Sequence, residues 1–186
     1  MLKRAAPLLL ALLPACSGVD SSSEAVPSDT AAPREVAVAP GDPWVVTTGG
    51  IGALHAGMTT AEAGTALGAP LPAVASGECE MMRVPGAPGE VYLMVVADTV
   101  VRFDVRDSTI ATAAGARLGD SEARVRGLYP ASVRSEPHKY TSGRYLIVTA
   151  PDDTLRRLVF ETDSAGAVTT FRSGRVPEVE WVEGCS

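Results

Sequence analysis

The sequence predicts an α+β fold, a tandem repeat in which each unit is a short helix followed by an antiparallel β-sheet. One observation is a duplication. The stretch Gly52-Ala53-Leu54-His55-Ala56-Gly57-Met58-Thr59-Thr60-Ala61-Glu62-Ala63 has a weaker counterpart in Gly115-Ala116-Arg117-Leu118-Gly119-Asp120-Ser121-Glu122-Ala123. Each copy sets an extended piece, a glycine and a capping residue before a short helical run, and β-rich runs follow each helix. The other observation is length. About 143 residues lie between Trp44 and Ser186, enough for one domain that buries roughly two-thirds of its unfolded surface. The repeats divide that domain at about 44–114 and 115–186.

In the first unit Thr59 and Glu62 form a capping box, in which each side chain satisfies a backbone N–H at the helix start. Gly68 and Pro70 supply the stop. Strands are expected at 91–96 and 99–105, around a tight turn at Ala97-Asp98, with a third at 108–113. In the second unit Asp120 or Ser121 caps a helix that ends near Tyr129-Pro130. Strands follow at 144–149, 155–161 and 167–172, and a last one at 178–182. The helices offer narrow packing faces, Ala63 and Leu67 in one and Ala123, Val125 and Leu128 in the other. Val101, Phe103 and Val105 alternate with Arg102 and Asp104, which predicts one buried and one solvated sheet face.

Ahead of the domain, Lys3 and Arg4 precede the apolar run 5–13 and the small-residue stretch Leu13-Pro14-Ala15-Cys16. That order reads as a signal peptide over 1–15, and the run is too short to span a hydrocarbon core of about 30 Å. Leu13, Ala15 and Cys16 resemble a lipobox, although Pro14 departs from the commoner residues at its position. The resemblance implies cleavage before Cys16, lipidation of its thiol and a membrane anchor. The alternative is an ordinary secreted chain with an incidental thiol at Cys16. With Ser17 after the cysteine, the lipobox resemblance implies outer-membrane placement facing the periplasm in a two-membrane envelope. Positions 16–43, rich in Ser, Ala, Pro, Asp and Glu, read as a disordered linker.

Removing 1–15 takes Lys3 and Arg4 and no acid from the chain's 16 cations and 22 acids, leaving a formal charge of −8. An acidic chain with scattered arginines is not expected to bind nucleic acid. With Cys16 assigned to lipid, Cys79 and Cys185 remain as a pair. An exported protein favours that disulfide, which closes a loop of about 100 residues worth about 4 to 5 kcal/mol in the chain-entropy model. The alternative is two buried free thiols.

No catalytic or metal constellation emerges. His55 and His138 lie in different repeats, each without a ligand three or four residues away, so a zinc site is not expected. Glu136 and His138 read as a turn before a strand. Asp152, Asp153 and Asp163 lack the spacing of a calcium loop. Ser142-Gly143 and Ser173-Gly174 read as turn dipeptides, and no nucleophile elbow is present. Cofactors are therefore none, and an enzyme is not expected.

The pattern Gly-Ile-Gly-x-Leu-x-x-Gly-Met-Thr-x-x-Glu-Ala over 50–63 resembles the helix-then-sheet unit of the BamE/SmpA outer-membrane lipoproteins and of the tandem β-lactamase-inhibitory-protein fold. The chain's nine aromatic residues are few for the aromatic-rich sheet of such inhibitors. No activity is carried over, because a shared fold does not transfer function. The expected function is a non-enzymatic, lipid-anchored protein-binding module, acting as inhibitor, immunity factor or assembly accessory. Its expected binding face is exposed strand positions including Tyr92, Met94, Arg102, Asp104 and Arg157. The alternative is an envelope small-ligand or glycan binder that uses a groove between the repeats.

Overall fold

The computed structural model describes residues 41–185. The expected signal peptide, Cys16 and the linker up to position 40 lie outside the described residues. Three two-residue strands, β1 (Val46–Thr47), β2 (Gly50–Ile51) and β3 (Leu54–His55), form a small antiparallel sheet. Helix α1 (Thr60–Leu67) follows, then β4 (Cys79–Arg83), β5 (Val91–Val96) and β6 (Thr99–Val105). Helix α2 (Glu122–Leu128) precedes β7 (Val133–Pro137), β8 (Arg144–Thr149), β9 (Arg156–Thr162) and β10 (Val168–Arg175).

Local chemistry sets the helix ends and the hairpin. Thr59 Oγ1 accepts the Glu62 N–H at 3.2 Å, and Glu62 Oε2 accepts the Thr59 N–H at 2.8 Å. The Thr59 N–H and the Thr59 hydroxyl, which donates to the same Oε2 at 3.0 Å, hold the Glu62 carboxyl below its ordinary range. Gly68, at φ +65°, ends α1 with its N–H on the Gly64 and Thr65 carbonyls. Ser121, not Asp120, caps α2. Between β5 and β6, Ala97 and Asp98 have φ of +48° and +63°, the backbone of a two-residue hairpin turn that matches strand twist.

The expected tandem of helix-plus-sheet units does not form. The described residues are mainly antiparallel β-structure, and β4 to β10 of both halves join one seven-stranded sheet in the order β4-β5-β6-β10-β9-β8-β7. The two halves meet where β6 pairs with β10, from Phe171 against Val105 to Gly174 against Arg102. Each of those strands would otherwise present an unpaired backbone edge, and pairing them removes both edges. What the sequence duplicates is a capped helix start. It does not duplicate a closed sheet, and the junction holds a continuous ladder rather than a groove.

Two expected strands also fail. Residues 108–113 form a loop in which Asp107 Oδ1 accepts the Thr109 N–H at 2.8 Å. That loop makes only an isolated parallel bridge from Thr112 to Val46, because β10 has taken the edge of β6. Residues 178–182 leave the sheet at Pro177 and form a single 3₁₀ turn over Glu178–Glu180. Conversely, β7 was not expected, because its Val-Arg-Ser-Glu-Pro sequence lacks a β-rich run; it is held as an edge strand with Pro137 at its end.

One face of the large sheet carries the core. Leu93, Phe103, Leu146, Leu158, Phe160 and Phe171 pack there with Ile51 and Leu54 of the small sheet, Ala63 of α1 and Val125 of α2. Asp98 ties the hairpin tip to α1, accepting from the Thr60 hydroxyl and, at 3.3 Å, from the Val74 N–H. The other face of the sheet carries the candidate site.

Candidate functional site

Strand register places all the expected binding residues on that second face, in two adjacent rows. One row runs Arg83, Tyr92, Asp104, Arg172, Val159, Ile147 from β4 to β8. Its neighbour runs Met81, Met94, Arg102, Gly174, Arg157, Thr149. Tyr92, Met94, Arg102, Asp104 and Arg157 are thus brought together. Their expected exposure is not found: Met94, Arg102 and Asp104 are buried, at 0%, 4% and 5% exposure, and Tyr92 and Arg157 are half-buried.

The cover is the chain's own segment 176–185, a strap that doubles back from the end of β10 across the second face. Val179, fully buried, sits among Tyr145, Ile147 and Val159 in an apolar cluster separate from the main core. Beyond it Trp181 is 39% exposed. Cys185 reaches β4 and is bonded to Cys79, with Cα atoms 5.4 Å apart. The disulfide read from the cysteine count is therefore present, and it fastens the strap to the edge strand.

Arginines from the sheet hold the strap between these two points. Arg102 grips Asp104 through two bonds of 2.7 Å and donates its remaining terminal nitrogen to the carbonyls of Glu178 at 3.2 Å and Trp181 at 2.6 Å. Arg172 donates to the Val179 carbonyl at 2.6 Å and pairs with Glu161. Arg157 pairs with Glu180, which Arg134 also approaches at 3.3 Å. Glu183 accepts from Lys139 Nζ at 2.8 Å and from the Tyr140 hydroxyl. The bond from Lys139 holds the Glu183 carboxyl below its ordinary range. Gly174 lies in the middle of this face, and a Cβ there would stand 2.4 Å from the Val101 carbonyl oxygen, so only glycine lets β10 lie this close to β6.

His138 stacks on Tyr145 with ring centroids 4.5 Å apart. Its Nδ1 accepts the N–H groups of Tyr140 at 3.1 Å and Thr141 at 3.2 Å, which leaves the proton on Nε2, 3.3 Å from Glu161 Oε2. Glu136 pairs with Arg134 on β7 instead of joining His138. Beside His138 and Glu161 lies an open pocket of about 490 Å³, also lined by Thr141, Ser142, Asp163 and Ser164. Among the described residues no group of three or more His, Cys, Asp or Glu is placed to hold a metal ion.

Sequence reasoning missed the strap because Glu178-Val179-Glu180-Trp181-Val182 alternates like a strand. The signals that could have found it are Pro177, which cannot donate to a ladder, and Cys185, which must reach a distant cysteine.

No protein-family model and no curated protein matches the chain. Among solved structures, the crystal structure of the uncharacterized protein yfeY from Escherichia coli is similar at 14% identity, covering 70% of this chain and 99% of that chain, with a TM-score of 0.44. The Cys79–Cys185 disulfide points to an extracytoplasmic location. No helix among the described residues is long and apolar enough to cross a membrane.

Proposed function

We propose that the protein is a lipid-tethered, non-enzymatic protein-binding module of the cell envelope, acting as an inhibitor, immunity factor or assembly accessory. The tether is Cys16, with outer-membrane placement in a two-membrane envelope. The observation that carries the binding reading is that the second sheet face already holds a peptide segment, residues 176–185, through carbonyl bonds, a valine socket and carboxylate–arginine pairs. Along its margin, surface remains free for another chain. Trp181 and Met81 are 39% and 37% exposed, and the Arg106 guanidinium lies 5.6 Å from the ring centre of half-buried Tyr92. Aromatic, methionine and arginine side chains are the residues enriched at protein interfaces.

A photo-crosslinking residue placed at Met81 or Tyr92 in the native envelope is expected to give a discrete protein adduct. The same residue at exposed Ala123 on α2 is expected to give none. Absence of any adduct from both face positions would overturn the reading. Cys16→Ser is expected to release the protein from the membrane fraction; a variant that still sediments with membranes refutes the anchor.

A further inference from the structure

We infer that the strap is displaceable: residues 176–185 fill, within one chain, a groove suited to an extended acidic segment of a partner protein, and the Cys79–Cys185 disulfide is the latch. The inference rests on the protein-binding reading above and names its ligand class and its control.

The contacts of the strap are those any extended peptide of the right charge can make. Three are main-chain carbonyls, those of Glu178 and Trp181 on Arg102 and that of Val179 on Arg172. The side-chain contacts specify a short pattern. An apolar residue enters the Tyr145, Ile147 and Val159 socket, an acid directly after it meets Arg157 and Arg134, and a second acid three residues later meets Lys139 and Tyr140. The pattern is apolar-acid-x-x-acid, as in Val179-Glu180-Trp181-Val182-Glu183.

The sheet can survive opening. Arg102 keeps Asp104, and Arg172 keeps Glu161, both partners lying on the sheet itself. No buried guanidinium is therefore stranded without a carboxylate, the situation that makes broken buried pairs so unfavourable. Val179 belongs to the satellite cluster and contributes nothing to the main core. The closed fit is also incomplete. Glu178 Oε2 is buried without a hydrogen-bond partner, with Arg175 Nε 3.6 Å away, and Arg157 Nε is buried and unpaired. Buried polar atoms left unpaired favour the open state, where water reaches them.

The latch is reachable. Cys79 and Cys185 line an open pocket of about 380 Å³ with Trp181 and Glu183. A dithiol reductant opens it by thiolate attack on Cys185 Sγ, which breaks the Cys79–Cys185 bond and expels the Cys79 thiolate to take up a proton. The second thiol of the reductant then displaces Cys185 as its own thiol. The reductant leaves as a disulfide, having given two electrons and two protons to the cysteine pair.

The test uses the full mature chain carrying Cys16→Ser and a fluorescent peptide of sequence 175–184. Protein reduced with dithiothreitol is expected to bind the peptide about tenfold or more tightly than oxidised protein. A peptide with both Glu180 and Glu183 replaced by lysine is expected to bind neither form. Val179→Asp, which loosens the strap without touching a cysteine, is expected to raise peptide binding in the oxidised protein as well. Amide exchange in β5, β6 and β9 reports whether the sheet stays folded. Three results overturn the inference: a reduced, folded protein that binds no peptide; loss of protection in those strands on reduction, which makes the disulfide a staple of the core; or a dimer that exchanges straps, which makes a second copy the occupant. If any of these appears while Met81 or Tyr92 still crosslinks a partner, the strap inference fails and the protein-binding reading stands. Loss of both fails both.

Discussion

The face of the large sheet that meets α1, α2 and the small sheet is closed mainly by apolar side chains; Leu93, Phe103, Leu158, Phe160 and Phe171 are all at 1% exposure or less, and the buried Ser173 hydroxyl donates to the Thr47 carbonyl of the small sheet at 2.7 Å. The opposite face is closed by the strap through arginines, carbonyls and glutamates, and the strap itself contributes one fully buried apolar residue, Val179. Apolar burial is non-directional and grows with area, so the first face tolerates no opening short of unfolding. On opening, the strap's carbonyls and glutamates meet water, while Arg102 and Arg172 keep Asp104 and Glu161 on the sheet, so the second face is built to release locally without stranding a buried charge. The two closures of one sheet thus differ in kind, one apolar and one largely polar.

The largest effect expected is on the first face. Phe160, fully buried, lies 5.4 Å from Phe171 and 6.0 Å from Tyr129 between ring centres. Phe160→Ala is expected to destabilise the whole domain by about 3–5 kcal/mol, seen as a lowered midpoint in denaturant. On the second face Arg102→Met leaves Asp104 buried without its cation and is expected to cost about 3 kcal/mol. Arg102→Met with Asp104→Leu is expected to recover a large part of that loss while leaving the strap loosened. Equal midpoints for the single and double variants would show that the strap carbonyls, and not the ion pair, are what Arg102 supports.

That contrast also explains what could be read in advance. The capping box at Thr59 and Glu62, the cap at Ser121 and the turn at Ala97-Asp98 are each decided within a few residues, and such signals survive in a sequence. The Cys79–Cys185 bond followed from an odd cysteine count. The joining of β6 to β10 did not, because Val105 and Phe171 are 66 positions apart and either half could have closed alone on the same pattern. Alternation correctly put Arg102 and Asp104 on the face opposite Phe103. It could not show that a distant segment would bury them, since a paired Arg-x-Asp on a strand looks the same wet or covered.

Within the second face the apolar and ionic parts of the strap can be separated. Val179→Ala removes two methyl groups from the socket, at about 0.8 kcal/mol each, so the strap is expected to loosen by about 1.5 kcal/mol. The readout is amide exchange at Glu180 and Trp181, whose N–H groups donate to the Pro177 and Glu178 carbonyls. Little change in the global midpoint is expected if the strap opens by itself. An equal drop in both quantities would show that strap and sheet unfold as one unit.

The smallest effect expected is electrostatic. Glu183 is exposed, and the bond from Lys139 lowers its carboxyl from the ordinary value of 4.5. A carboxyl depressed in the folded state stabilises that state above its unfolded value and loses the contribution as pH falls from about 4.5 through the lowered value. Strap amides are therefore expected to exchange faster, relative to their intrinsic rates, below about pH 4.5 than at pH 6. High salt is expected to shrink the difference, since the pair stands in water. Glu183→Gln is expected to flatten that part of the profile, and an unchanged acid response in E183Q would show that Glu183 is not its source. The aromatic face, whose closure rests mainly on apolar burial, is expected to hold its protection through the same range.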